Sequence, residues 1–103
     1  MIDKKLLAKL KKSYQANELD RRQINAASNN ILFEAKKIIF AIQRNDLILA
    51  AQKITALETS LKKIEKSFGP ARLQKEGSYR AATEEYFEGR SLYDVIKNKR
   101  VNP

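Results

Sequence analysis

Apolar residues return at helical intervals along most of this chain. From Ile24 the sequence steps through Ala27, Ile31, Ala35, Ile38 and Ile42, a seam widened by Leu32 and Ile39 and flanked by Phe33 and Phe40. Steps of this size keep one face of a helix apolar. A second seam, Leu47, Ala50, Ile54, Leu57, Leu61, Ile64 and Phe68, predicts a helix over 47–67, about 33 Å long at the helical rise. Only Arg44-Asn45-Asp46 separates the two, with Asn45 or Asp46 as the next N-cap. So short a connection between long seams implies an antiparallel hairpin. Gly69-Pro70 ends the second helix, since glycine suits the position past a last turn and proline cannot continue it.

Residues 71–77 read as a basic loop, with Ser78, or Gly77 as the second choice, as the cap of a third helix that reaches Lys97. Its stripe is Tyr79, Ala82, Tyr86, Tyr93 and Ile96, broken at Gly89, a residue that costs a helix about 0.5–1 kcal/mol relative to alanine. The tyrosines are expected to pack in the core with their hydroxyls at its edge; stacking on unpaired bases is the less common use. Ahead of all this, the segment 1–18 is amphipathic and basic. Ile2, Leu6, Leu10 and Tyr14 share one side, and Lys4, Lys5, Lys9, Lys11 and Lys12 fall mostly on the other. Its ordinary reading is a helix docked by its leucines; a basic arm for phosphates is the functional one. Lys97 to Pro103 is polar and reads as a boundary. The pattern as a whole is an all-α, antiparallel bundle of three long helices, or four if the N-terminal segment stands apart, forming a single domain over 1–103.

Composition narrows the chemistry. The 103 residues contain no Cys and no His, which excludes disulfides, thiolate zinc sites and the commonest general base. A metal here would be a hard, oxygen-liganded ion such as magnesium. No apolar run approaches the length of a membrane span, and no signal-peptide centre is present, so a cytoplasmic setting is expected and a membrane partner is not. The net charge of +9 favours a polyanionic partner, with nucleic acid the first candidate. Arg21, Arg22 and Arg44, near the two ends of the first long helix, are the better phosphate contacts. Lys36 and Lys37 interrupt its seam on the outer face and join them as candidates, although solvation is their ordinary role.

Glu85 and Glu88 lie three residues apart and so neighbour each other on the third helix. Carboxylates are common on helix surfaces, and pairing of Glu85 with Arg90 and of Glu84 with Arg80 would explain them without a metal. The surrounding stretch, Glu84-Glu85-Tyr86-Phe87-Glu88-Gly89 followed by Arg90-Ser91-Leu92-Tyr93 and a Lys-rich exit to Val101-Asn102-Pro103, resembles the translin family, closest to its short archaeal and bacterial members. Arg21-Arg22, Ser28, Ile31 and the turn Gln43-Arg44-Asn45-Asp46 fit the same resemblance, which covers most of the chain from Arg21 onwards.

That resemblance implies a helical protein that binds RNA or single-stranded DNA and assembles into closed oligomers. Its members akin to translin-associated factor X are magnesium-dependent endoribonucleases, and the resemblance maps two of their metal-binding, catalytic glutamates onto Glu85 and Glu88. The remaining acidic residues of that site belong to a later helix, so this chain looks like the N-terminal half of a family member. Gly89 and Gln43 depart from the family pattern, the latter standing where a histidine is frequent. Three expectations result: phosphate-directed nucleic-acid binding, an endoribonuclease subunit whose site is completed elsewhere, or a helical interaction module. Seams this long in so short a chain also predict self-association, with a second copy or a second translin-like chain.

Overall fold

The computed structural model describes residues 3–101 of the chain. Helix α1 spans Lys4–Gln43, α2 Leu47–Phe68, α3 Pro70–Leu73 and α4 Gly77–Val101, and no strand occurs among the described residues. Ile2, Asn102 and Pro103, which the sequence placed in the first amphipathic stripe and at the C-terminal boundary, lie outside them.

Helix α1 runs unbroken for 40 residues, through the Glu18–Arg22 segment and through Asn29-Asn30. The N-terminal segment is therefore the beginning of α1 and not a separate helix. Asp3 caps it by accepting a hydrogen bond from the Lys5 backbone N–H at 3.1 Å. At the hairpin Asn45 takes the left-handed conformation with φ 64°, a state asparagine tolerates at a helix C-terminus. Of the two candidate caps, Asp46 does the capping, accepting from the Leu49 N–H at 3.1 Å. Gly69, with φ 82°, ends α2 as expected. The segment predicted as loop then makes one helical turn, α3, because Pro70 occupies its first position and Leu73 is fully buried beneath it. Helix α4 begins at Gly77, so Ser78 is inside it; the Ser78 hydroxyl donates to the Asn25 side-chain carbonyl on α1. Four further residues past Lys97 stay helical, to Val101.

Cross-helix pairs fix the topology. Lys53 meets Glu34 at 3.0 Å, which sets α2 antiparallel to α1. Arg90 and Tyr79 reach Glu58 and Glu65, so α4 runs antiparallel to α2 and returns alongside α1. The core is the one the seams describe: Ile24, Ile31, Ala35, Ile38 and Ile42 from α1, Ala50, Ile54, Leu57 and Ile64 from α2, and Tyr79, Ala82 and Tyr86 from α4. Tyr86 donates its hydroxyl to Glu58 at 2.9 Å and Tyr79 donates to Glu65 at 3.2 Å, so both rings are buried with their polar tips at the rim. Burial, and then the facing carboxylate, push both phenols above their ordinary range.

Beside the shared core and the Ser78–Asn25 hydrogen bond, two contacts shape how α4 and its entry meet α1. Gly89 is buried where the helices approach: a Cβ there would lie 3.2 Å from Ile38 Cγ2 and 3.3 Å from Ile38 Cβ. Glu76, 9% exposed, accepts from Arg72 Nη1 at 2.7 Å and faces Arg21 Nε at 3.5 Å, tying the α3–α4 junction to α1. The Arg72 hydrogen bond, supported by both guanidinium charges and opposed by burial, holds the Glu76 carboxyl below its usual range.

Both contacts yield predictions. Gly89→Ala is expected to lose about 1 kcal/mol of stability in chemical denaturation, because crowding a β-branched, fully buried neighbour outweighs the gain in helix propensity. The combination with Ile38→Ala should cost less than the sum of the single losses, since it removes the crowded methyl. For Glu76, a carboxyl depressed on folding adds stability that is complete above its unfolded value and disappears as pH falls through the folded one. Glu76→Gln should therefore lose about 2 kcal/mol at neutral pH and show a shallower loss of stability below about pH 4.5 than the parent chain, in urea titrations across pH.

Candidate nucleic-acid interface

The cations expected to contact phosphate do not converge. Arg21 bonds to Glu18 at 3.3 Å as well as facing Glu76, so two carboxylates of the same chain already engage it. Lys37 pairs with Glu34 at 3.1 Å and lies over the Phe33 ring at 4.4 Å. The hydrogen bonds from Lys53 and Lys37 hold the Glu34 carboxyl below its usual range. Arg22, Lys36 and Arg44 are exposed and form no ion pair among the described residues. Arg22 and Arg44, however, stand about 33 Å apart along α1. They cannot serve one compact site.

A different set of cations emerges once the carboxylates are followed. Glu18, Glu34, Glu58, Glu76 and Asp94 are in ion pairs. Asp3 and Asp46 cap helices, and Glu65 receives Tyr79. Most acids are thereby occupied inside the fold, whereas among the described residues only Arg21, Lys37, Lys53, Arg72 and Arg90 form ion pairs. About half of the unpaired cations lie on two exposed tracts, Lys4 to Lys12 on α1 and Lys62, Lys63 and Lys66 on α2; the others, Arg22, Lys36, Arg44, Lys75, Arg80, Lys97 and Lys99 among the described residues, are scattered.

The second tract borders a groove. Between α1 and α2 an open cleft of about 640 Å³ has Ala27, Ile31, Ile64 and Phe68 as its apolar floor and Gln23, Asn30 and Lys63 on its walls. Ser60 and Ser67 also line it, but their hydroxyls donate to the Ala56 and Lys63 carbonyls. The free donors are thus the two amides and the ammonium, and Asp20 is its single acid. A half-buried aromatic ring among amide donors, with Lys63 at one edge, has the chemistry to hold an unpaired polynucleotide strand rather than a rigid duplex. The sequence pattern alone does not single out Lys62 or Lys63 as phosphate contacts. The available signal was their position beside the Leu61–Ile64–Phe68 end of the seam, across from Gln23 and Asn30.

Glu85 is half-buried at the flank of α4 and Glu88 is exposed. Neither pairs with Arg90, which instead reaches Glu58 at 2.7 Å and Asp94 at 3.3 Å. Glu84 and Glu88 line a shallow outer cleft with Phe87, Ser91, Leu92 and Val95. No three acidic residues come together among the described residues. A divalent site for phosphodiester chemistry needs several carboxylates around its ions, so the donors of this chain do not by themselves fit one. The tyrosine stripe offers no stacking platform either, because Tyr79 and Tyr86 are buried and Tyr93 is half-covered, with Lys97 at 5.8 Å from its ring centre.

Among the described residues no helix is long and apolar enough to cross a membrane. No protein-family model, curated protein or solved structure matches the chain.

Proposed function

We propose that this chain is a nucleic-acid-binding helical bundle, translin-like in its motif, that holds RNA or single-stranded DNA mainly through phosphate charge. The observation that carries the reading is the imbalance left by folding: carboxylates are consumed by caps, ion pairs and tyrosines, and lysines remain exposed along α2 beside a groove with amide donors. Lys62, Lys63 and Lys66 supply the electrostatic attraction, Gln23 and Asn30 the hydrogen bonds, and Phe68 an apolar surface for a base. Arg22 extends the positive field at the entrance, while Arg21 has a structural duty toward Glu76.

The resemblance also carries a nuclease reading, in which Glu85 and Glu88 share magnesium with acidic residues of another chain. It requires carboxylates from outside this chain, and no step of such a reaction is assigned to the residues described above.

Fluorescence anisotropy with labelled single-stranded oligonucleotides tests the binding reading. Affinity should fall as salt rises, with a log–log slope that shrinks by about 2 when Lys62, Lys63 and Lys66 are all changed to Gln. Arg44→Gln, far from the groove, should change the slope much less. Absence of binding at low salt, or a slope indifferent to the three lysines, would refute the proposal.

A further inference from the structure

The seam of α1 does not stop where its partners do. Leu6 and Leu10 lie in the same helical phase as Ile24 and Ile31, so the stripe that builds the core runs on toward the N-terminus. There no described residue buries it: Leu6, Leu10 and Tyr14 are 53%, 57% and 67% exposed, and Leu7 beside them 48%. The first buried residue of α1 is Ile24, about 30 Å past the helix start. This overhanging arm carries Lys4, Lys5, Lys9, Lys11 and Lys12 against a single acid before Glu18, Asp3, which is engaged as the cap.

The outer face of α4 has the opposite character. Phe87, Leu92 and Val95 are 63%, 36% and 50% exposed, and they border an open cleft of about 670 Å³ in which Glu84 and Glu88 stand one turn apart. Neither glutamate has an ion pair or hydrogen bond among the described residues. An apolar, basic arm and an apolar, acidic cleft are complementary, yet they cannot meet within one chain. The arm is a rigid continuation of α1, and its midpoint lies about 38 Å from Ile38, the residue level with Gly89 on α4.

We infer that the arm of one copy docks in the α4 cleft of a second copy of this chain, with Leu6, Leu10 and Tyr14 against Phe87, Leu92 and Val95, and arm lysines beside Glu84 and Glu88. Two copies lying antiparallel make both contacts at once, with the two-fold axis at the level of Asn25, midway between arm and cleft. The pairing is then closed and self-limiting rather than an open chain. It buries the unpartnered apolar stripe of the arm and neutralises acids that the fold itself leaves unmatched.

The absence of cysteine gives a clean test on the full chain. Ser13→Cys marks the arm and Ser91→Cys the cleft; both positions are exposed, and the change leaves every leucine in place. Mixed in equal amounts and treated with a short bismaleimide, the two chains should give a covalent dimer enriched in arm-to-cleft links. Glu84→Lys together with Glu88→Lys should abolish that product and weaken self-association at least about tenfold in sedimentation equilibrium. Those glutamates are surface groups, so circular dichroism should show the helices unchanged. Arm-to-arm links alone, a monomer at all concentrations, or linkage indifferent to the charge reversal would overturn the inference. So would an arm that binds anionic lipid vesicles while giving no link. Oligonucleotide affinity of the α2 groove is read separately and decides nothing here.

Discussion

Helices of 22 and 25 residues pack on one of 40, and this mismatch governs the molecule. The short Arg44-Asn45-Asp46 hairpin forces α2 back along the C-terminal half of α1. Gly69 and the α3 turn then send α4 forward again over the same half. Cover is therefore doubled on one part of α1 and absent on the other, and the molecule extends to 74 Å with cross-sections of only 19 and 18 Å. Helix propensity alone keeps a lone amphipathic arm only marginally stable. Covalent continuity with a packed helix removes the nucleation cost, which is how the arm holds its conformation while its leucines face water.

The parallel contact of α1 with α4 is where side-chain size decides the geometry. Gly89 faces Ile38 across a gap in which a methyl group would lie 3.2 Å from Ile38 Cγ2, closer than side chains ordinarily pack, and Ala82 is fully buried one heptad earlier on the same face. Small residues let two backbones approach, so the propensity lost at Gly89 has a packing return. In the sequence Gly89 reads as a break in a stripe, because periodicity registers what is apolar and says nothing of how near the opposite helix comes. The same limit explains Arg21. Its neighbour Arg22 is equally basic, and only the fold brings Glu76, from 55 positions later, against one of them and not the other. The seams, the Asp46 cap, the Gly69 stop and the buried tyrosines were legible because each is set by local chemistry. The α3 turn was missed because a basic, Pro-led segment looks like a loop until Leu73 finds the core.

Charge follows the same division between local and assembled effects. A net charge of +9 invites the thought of a uniformly basic surface, but folding redistributes it. Carboxylates in α2 and at the helix caps are drawn into contacts, which leaves Lys62, Lys63 and Lys66 of α2 and the lysines of the arm without internal partners. The acids spared are concentrated on α4, where Glu84, Glu85 and Glu88 crowd two helical turns. The surface carries lysine tracts on the arm and at the C-terminal end of α2 and an acidic patch on the outer side of α4, an arrangement that total charge does not reveal.

Segregation also separates the two proposed interactions in space. At about 100° per residue, Leu10 and the groove residues Gln23 and Asn30 point some 140–160° apart around α1. The arm presents its apolar stripe toward the side on which α4 lies, and the groove opens beyond α2. A second copy seated on the arm therefore leaves the groove uncovered, and binding of a strand need not compete with pairing. The acidic face has no such freedom: Glu88 cannot lie beneath a partner's lysines and also contribute to a divalent centre, since cationic neighbours and a divalent ion would claim the same carboxylate. Antiparallel pairing and the nuclease reading thus exclude each other at Glu88, and the arm is the feature that tips the balance, because its lysines and leucines are in this chain whereas further acidic ligands would have to be supplied from outside it.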